Sequence, residues 1–373
     1  MVNRSAAPKS HSIEWLFYWL RPVGYFATVI ALLLAVSGCG TADAPVKLGG
    51  ATMGTTWSIT YLGSGEEPPA AQINAGVVEV LAAVNASMST YQPTSEISRF
   101  NALPAGEPIQ VSEPFIEVLE TALRVGGLTQ GAYDVTVGPL VDLWGFGSAT
   151  FGLNTDVSIP AASAIAKALA QVGQNRIVLD VARQSISKQG ELALDFSSLA
   201  KGYAVDEVAA FLRENGITRY LIEVGGEMAL AGNSPRGDLW QIAIEQPEPQ
   251  MRSVAAALRL TDLAIATSGD YRNYVEIDGK RYSHAIDPRN GYPIDHELVS
   301  VTVVHESAMA ADAWATALIV LGLDDALAVA QAQGLAVYCI AHKGGEFVHR
   351  HSKAIAAYIM PHSFENRLEL GAN

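Results

Sequence analysis

The order of strand-like and helix-like segments is the feature that most limits the folds open to this chain. The strand-like segments, rich in β-branched and aromatic residues, are 56–61, 176–179, 192–196, 220–224, 240–244 and 299–304. The helix-like segments, whose apolar residues recur three or four positions apart, are 71–86, 113–128, 165–172, 204–215 and 308–321. Because the two kinds are mixed without strict alternation, the order favours an α+β fold over a doubly wound parallel sheet.

The same stretch of chain carries no sign of a second domain. Its 373 residues suffice for one large domain or two small ones. Gly216 and Gly322 follow two of the predicted helices, where glycine commonly ends a helix. Beyond residue 49 there is no further linker, repeat or low-complexity segment. We therefore expect a single domain over residues 49–365.

The first forty residues form a targeting segment rather than part of the fold. Arg4, Lys9 and Arg21 precede an apolar run at 23–36. The run is shorter than the roughly 20 residues that cross a bilayer. It ends in the letters VSGC at 36–39, which resemble a bacterial lipoprotein cleavage box.

Cleavage at this box predicts a lipid anchor. Residues 1–38 would be a lipoprotein signal peptide, and Cys39 would become the acylated start of a small-residue tether, 39–48. Two or more acyl chains anchor a protein stably without a transmembrane helix. We therefore expect an exported protein, lipid-anchored to a bacterial membrane and facing the periplasm. The alternative is a plain signal peptide or membrane anchor that happens to contain a cysteine.

Cysteine content and charge exclude several classes of protein. The second of the two cysteines, Cys339, lies in an apolar run at 335–340, where a cysteine is usually buried packing. Neither a disulfide framework nor a thiolate metal site is therefore expected. A formal net charge of -14 repels nucleic acid, so no nucleic-acid partner is expected.

Two hard oxygen ligands stand together near the C-terminal end of the pattern. On the predicted helix 308–321, Asp312 and Thr316 are four residues apart and share a face. A carboxylate and a hydroxyl suit Mg²⁺ and do not suit thiophilic metals. The alternative is an aspartate that interacts with the helix dipole and a threonine packed in an apolar helix.

A second segment offers a place for a phosphate. The predicted strand 192–196 contains Asp195, a polar turn follows, and we expect a helix to begin after Gly202. Free N–H groups at a helix start, next to serines and Lys201, favour phosphate binding. A turn capped by Ser197 or Ser198 is the alternative.

Other segments carry a candidate base and candidate pocket walls. His284 precedes a turn with Asp-Pro and Asn-Gly, and an imidazole can accept a proton from a hydroxyl near neutral pH. Tyr91 and Met53 could lie against a flat ring system. A histidine is nevertheless often structural, and aromatic residues more often belong to the core.

The order and the residue sequences of these motifs together resemble those of the ApbE family of FAD:protein FMN transferases. The matching stretches are 53–57, 88–91, 98–101, 131–138, 195–206, 223–227, 266–271, 284–293 and 311–316. The resemblance covers roughly 49–321 and implies an α+β catalytic domain. It also fits the lipoprotein signal, which members of the family commonly carry.

The resemblance implies specific roles for residues of this chain. The residues that match FAD-binding positions are Met53, Tyr91, Ala132, Tyr133, Asp134, Asp195, Lys201 and Ile286. The positions that match Mg²⁺ ligands are Ser198, with an oxygen from its main chain or side chain, Asp312 and Thr316. His284 is our candidate for the catalytic base.

The implied reaction transfers FMN from FAD to a Thr or Ser hydroxyl of an exported flavoprotein and releases AMP. Subunits of sodium-pumping and related redox complexes are the acceptors that the family implies. Three alternatives remain at this point. The first is a Mg²⁺-dependent FAD pyrophosphatase that yields FMN and AMP, and the second is a non-catalytic FAD-binding lipoprotein. The third is a purely structural lipoprotein, which would leave the set of motifs unexplained.

Overall fold

The computed structural model describes residues 44–147, 158–248, 253–270, 274–277 and 280–361. Every described residue after Ala44 belongs to one compact unit. The predicted signal peptide 1–38, the lipidation site Cys39 and residues 40–43 of the predicted tether lie outside the described residues, whereas residues 46–48 of the tether belong to the first strand. The last residues of the predicted domain, 362–365, lie outside them as well.

The described residues form helices and antiparallel strands in a mixed order, which confirms the α+β prediction. The helices are α1 Ala70–Met88, α2 Glu96–Ala102, α3 Glu113–Leu128, α4 Gly138–Leu143, α5 Ala162–Leu169, α6 Ala200–Glu214, α7 Ala308–Leu321 and α8 Leu323–Gln333. The strands of the first half are β1 Val46–Thr52, β2 Thr55–Tyr61, β3 Ile109–Gln110, β4 Ile177–Asp180 and β5 Ser185–Lys188. Those of the second half are β6 Tyr220–Val224, β7 Glu227–Ala231, β8 Trp240–Glu245, β9 Val254–Leu260, β10 Leu263–Gly269, β11 Tyr274–Ile277, β12 Lys280–Ser283, β13 Ile286–Asp287, β14 Tyr292–Pro293, β15 Leu298–His305, β16 Ala336–Lys343 and β17 Glu346–His351.

One large sheet organises this unit. Its eight strands lie in the order β1-β2-β6-β7-β10-β15-β16-β17, and each neighbouring pair is antiparallel. The smaller sheets are β3-β5-β4 and the pairs β8-β9, β11-β12 and β13-β14. Each short pair is a local hairpin, whereas the large sheet brings distant parts of the chain together.

Both faces of the large sheet are covered. Side chains alternate along a strand, so Val301 and Val303 of β15 face the helices while Val304 faces the other side. On that other side the β8-β9 hairpin packs Trp240 and Leu258 against the sheet. The central strands are therefore apolar on both faces, which explains why β16 is buried from Ala336 to Ala341.

Cys339 of β16 confirms the packing interpretation. Its side chain is fully buried among the residues that join the sheet to the helices. Burial raises the pKa of the thiol to about 12, since a thiolate would lose its hydration there. A thiol in this state is an apolar filler rather than a nucleophile or a metal ligand.

Helix α7 lies at the centre of the unit, and all its residues except Thr316 and Leu321 are buried. Its start is held by Asp206 of α6, whose carboxylate accepts hydrogen bonds from Ser307 Oγ at 2.7 Å, Ala308 N at 2.8 Å and Met309 N at 3.0 Å. An anion suits these free N–H groups and the positive end of the helix dipole. The bonds fix α6 against the beginning of α7.

The approach of α6 to α7 requires a glycine. A Cβ built on Gly202 would overlap the carbonyl oxygen of Ala308, which is rigid backbone. We expect Gly202→Ala to destabilise the fold by about 1–3 kcal/mol, the usual cost of overpacking, and thermal unfolding would measure it. Gly127→Ala is the matched control, because Gly127 is exposed on α3 and nothing lies near the added methyl group. Equal stability of both variants would contradict the prediction.

Most of the predicted elements are present, but one is wrong. Residues 192–196 form no strand, since Leu194 N donates to Asn101 Oδ1 at 2.7 Å and Asp195 N to the Val135 carbonyl at 2.7 Å. Asn101 belongs to helix α2 and Val135 to a loop, so neither partner is part of a strand. Helix α6 also begins at Ala200 and not after Gly202. None of the helices in the described part of the chain is both long and apolar enough to cross a bilayer.

Candidate active site

Three charged side chains from distant segments meet between α6, α7 and the β6-β7 hairpin. Lys201 Nζ lies 3.5 Å from Asp312 Oδ2 and 3.6 Å from Glu227 Oε1. Lys201 is in the first turn of α6, Asp312 is in α7, and Glu227 is the first residue of β7. The packing of α6 on α7 and on the hairpin brings them together.

Burial works against the negative charges of both acidic side chains. Burial raises the pKa of Asp312 and raises that of Glu227 to about 8, because a buried carboxylate loses its hydration. Burial also lowers the pKa of Lys201, but the two carboxylates outweigh it, and the pKa lies above its ordinary value. One ammonium group therefore faces two carboxyl groups, and a further cation bound there would favour the ionised form of both.

Backbone groups complete the polar contacts around Lys201 and Asp312. Gly202 N donates to Asp312 Oδ2 at 3.2 Å, and Lys201 Nζ donates to the carbonyl of Ser197 at 3.2 Å. The N-cap position of α6, Leu199, provides no side-chain cap. The alternative in which Ser197 or Ser198 caps this helix is therefore wrong. Ala200 N donates to the Phe196 carbonyl at 2.8 Å, so Gly202 N is the N–H group of this first turn that the structure shows bonded to a site residue.

The predicted metal ligands are all oxygen donors. Thr316 Oγ1 lies 3.3 Å from Ser268 Oγ of β10, and Ser198 Oγ lies 2.9 Å from the hydroxyl of Tyr133. No group of three or more His, Cys, Asp or Glu side chains that could hold a metal occurs among the described residues. One carboxylate with hydroxyl and carbonyl oxygens fits Mg²⁺, which usually completes its shell with water and substrate oxygens.

Tyr133 connects this polar group to the other predicted cofactor positions. Its side chain is buried, and burial raises its pKa well above the ordinary value. The carboxylates of Asp312, Asp195 and Asp134 raise it further, so all of them lie within electrostatic reach of the phenol. The structure thus brings these predicted residues together around Tyr133.

The Asp134 carboxylate is hydrogen-bonded within its own loop and to a distant segment of the chain. Its carboxylate accepts hydrogen bonds from Thr136 N at 2.8 Å, Thr136 Oγ1 at 2.6 Å and Gln174 N at 3.0 Å. The neighbouring Ala132 is buried in the core. The Asp134 side chain therefore stabilises the loop that carries Tyr133.

Tyr91, Asp195 and Met53 lie on more open parts of the structure. Tyr91 is 62% exposed. Partial burial, and then the charges of Asp195 and Asp142, raise the pKa of its phenol. Asp195 Oδ1 accepts a hydrogen bond from Ser197 N at 2.8 Å. Met53 forms the β1-β2 turn with a φ of 48°, a left-handed conformation that is rare for a side chain of this size. An exposed phenol beside Asp195 leaves room for a flat ligand.

The predicted base lies outside the group of Lys201, Asp312 and Glu227. His284, between β12 and β13, is half-buried and contacts Phe146 edge-on with ring centroids 6.3 Å apart. Ile286 is buried with Leu140 and Trp144. The turn after His284 approaches the loop before Tyr133, since a Cβ on Gly131 would lie 4.0 Å from Arg289 Cγ.

Comparison with known proteins identifies this combination of fold and site. The sequence profile of the ApbE family matches residues 53–339. The chain belongs to the ApbE family.

Relatives within the ApbE family match nearly their whole length. The FAD:protein FMN transferase of Vibrio cholerae serotype O1 is 44% identical over 312 residues, which are 83% of this chain and 92% of the relative. That of Haemophilus influenzae is 41% identical over 331 residues, 87% of this chain and 94% of the relative. The solved structure of the flavin transferase ApbE from Vibrio cholerae superposes with a TM-score of 0.78, at 40% identity and over 84% of this chain and 99% of the other.

One residue of the site in this ApbE-family chain was not predicted. Glu227 carries a buried carboxylate beside Lys201, although sequence reasoning assigned it no role. The available signal was a glutamate at the start of a buried strand, directly after Gly225 and Gly226. Gly225 has a φ of 62°, and a Cβ there would lie 2.8 Å from Thr55 Cγ2 and 3.1 Å from Lys201 Cδ. The glycine therefore leaves space for the lysine side chain.

Proposed function

We propose that this chain transfers FMN from FAD to a Thr or Ser hydroxyl of an acceptor protein, with Mg²⁺, and releases AMP. The observation that carries the proposal is the group of Lys201, Asp312 and Thr316 in a chain that matches curated FMN transferases over nearly their full length. The group combines a half-buried cation with oxygen ligands. Such a group suits the pyrophosphate of FAD, which is anionic and commonly bound with Mg²⁺.

Each side chain has a task in this proposal. Asp312, Thr316 and Ser198 hold Mg²⁺, and Lys201 neutralises charge on the pyrophosphate. When bound, Mg²⁺ polarises the phosphoryl oxygens and stabilises the charge that develops on them. Met53, Tyr91 and Ile286 contact the flavin or the adenine of FAD. A transfer of this kind needs mainly positioning and charge stabilisation from the protein.

The transfer step needs no reactant other than FAD and the acceptor protein. The acceptor oxygen forms a bond to the phosphorus on the riboflavin side, and the bond from this phosphorus to the oxygen of AMP breaks. His284 accepts the proton of the acceptor hydroxyl. The products are a phosphoester-linked FMN on the acceptor and free AMP.

Location and acceptor are part of the same proposal. Lipid attachment at Cys39 would hold the enzyme at a bacterial membrane on the periplasmic side. Exported flavoproteins, such as subunits of sodium-pumping or related redox complexes, would then be within its reach. The acidic net charge of -14 does not favour contact with anionic lipid headgroups, so the anchor rather than the protein surface provides the attachment.

An intact-mass assay tests the proposed function. A soluble form that starts at Gly40 is mixed with FAD, Mg²⁺ and a flavin-acceptor domain, with and without EDTA. We expect the acceptor to gain the mass of one FMN less water, AMP to appear, and EDTA to prevent both. Free FMN and AMP with an unmodified acceptor would instead indicate an FAD pyrophosphatase. Binding of FAD without any turnover would indicate a flavin-storage lipoprotein.

A further inference from the structure

The contact of Lys201 with two carboxylates has a consequence for metal binding. The side chains of Asp312 and Glu227 are only 4% and 5% exposed, while that of Lys201 is 26% exposed. A buried charge without compensation is costly. The Lys201 ammonium group therefore compensates both carboxyl groups at once. Its N···O distances are 3.5 Å to Asp312 and 3.6 Å to Glu227, and neither is a short contact.

Glu227 keeps part of its bonding capacity unused. Its Oε2 atom is buried and has no hydrogen-bond partner among the described residues. A buried polar atom without a partner is destabilising, and in a native protein it calls for an explanation such as a functional role or a bound ion or water. The nearest cation to the Glu227 carboxylate is the Lys201 ammonium group, which a small side-chain movement would bring closer.

The lysine is in a position to make this movement. Its side chain passes over Gly225, whose missing Cβ leaves space beside Lys201 Cδ. A metal ion at Asp312 would compete with Lys201 for the same carboxylate and repel its positive charge. The ammonium group then needs another buried anion, and Glu227 is already in contact with it.

We propose that Glu227 is a positioning residue that takes up the Lys201 ammonium group when a divalent cation binds Asp312. The proposal rests on the metal site of the proposed function and assigns Glu227 a role that the reaction itself does not require. Glu227 makes the carboxylate of Asp312 available to the metal and keeps Lys201 close to the pyrophosphate. Metal affinity thus depends on a residue that does not contact the metal.

The test measures Mn²⁺ binding to the full-length protein in detergent, without FAD, by the electron paramagnetic resonance of free Mn²⁺. We expect Glu227→Gln to raise the Kd for Mn²⁺ by at least about tenfold, because the lysine loses its second anion. Glu223→Gln is the matched control on the same hairpin, since its carboxylate is solvent-accessible and bonds Gly226 N at 2.7 Å. This control should keep the wild-type Kd within about twofold.

A double variant separates positioning from a merely structural role. With Lys201→Met added to Glu227→Gln, no ammonium group competes for Asp312, so Mn²⁺ affinity should return to within about threefold of wild type. A structural role would lower the Tm of Glu227→Gln and leave its Mn²⁺ affinity unchanged. That result, or the absence of rescue in the double variant, would overturn the inference.

Failure of the metal site itself gives a different result. Asp312→Asn should abolish Mn²⁺ binding. If wild type binds no Mn²⁺, or if Asp312→Asn binds it normally, the metal assignment of the proposed function is wrong and the inference is overturned with it. If Asp312→Asn alone loses binding while Glu227→Gln keeps it, only the role of Glu227 is wrong.

Discussion

Replacing Asp312 by alanine is expected to lower the rate of FMN transfer at least about a hundredfold, because a catalytic metal contributes several kcal/mol to transition-state stabilisation. Asp312 is buried in α7, accepts a hydrogen bond from Gly202 N and contacts Lys201. Its replacement removes the single carboxylate among the proposed metal ligands. Single-turnover transfer to the acceptor, followed by intact mass across a Mg²⁺ titration, measures the effect.

The fold should survive this substitution well enough for the measurement. Lys201 would still contact Glu227, so its charge would not be left without a partner. Asp312→Asn is the control for packing, since it keeps the shape of the side chain and removes its charge. We expect it to lose nearly as much activity as Asp312→Ala with a smaller change in Tm. Near-normal transfer in either variant would show that the metal assignment is wrong.

Replacing His284 by alanine is expected to leave FAD binding intact while transfer falls by about 10²–10⁴-fold, the usual contribution of a general base. His284 lies outside the cluster of Lys201, Asp312 and Glu227, and its ring contacts Phe146. Its loss therefore removes a proton acceptor without disturbing the charged group. FAD affinity by flavin fluorescence and single-turnover transfer by mass give the two quantities separately.

The pH dependence provides a second readout for His284. A histidine base must be neutral to accept a proton, so transfer by the wild type should rise from acidic to neutral pH. The residual activity of His284→Ala should lack this rise. His342→Ala is the control, because His342 is exposed at the end of β16 and contacts Phe347 away from the predicted site. Lost FAD affinity with unchanged turnover would make His284 a binding residue instead.

The helices that were predicted well have strong local signals. The predicted ranges 113–128 and 308–321 coincide with α3 and α7. Each of these helices begins after a serine whose hydroxyl caps it, Ser112 for α3 and Ser307 for α7. Because the cap and the apolar residues lie within one continuous segment, no distant contact is needed to locate such a helix.

Segments whose partners are distant were harder to predict. Residues 192–196 are apolar enough for a strand, yet Leu194 N bonds the Asn101 side chain of helix α2 and Asp195 N bonds the carbonyl of Val135 in a loop. Strands β1, β7, β10 and β17 were not among the predicted segments, although they form half of the large sheet. A strand is stabilised by its neighbours in the sheet, and single-sequence patterns carry little information about them.

The sequence by itself determined the kind of chemistry that this chain can perform. Asp312 and Thr316 share a helix face because of their spacing alone, and the ordered motifs from Met53 to Thr316 identify the family. The tertiary structure alone decided which charges meet. Glu227 joins Lys201 and Asp312 because a strand and two helices pack together, and such contacts between distant residues depend on the whole arrangement of sheet and core. The balance of charge at the site, and with it the expected control of metal affinity, is therefore a property of the fold.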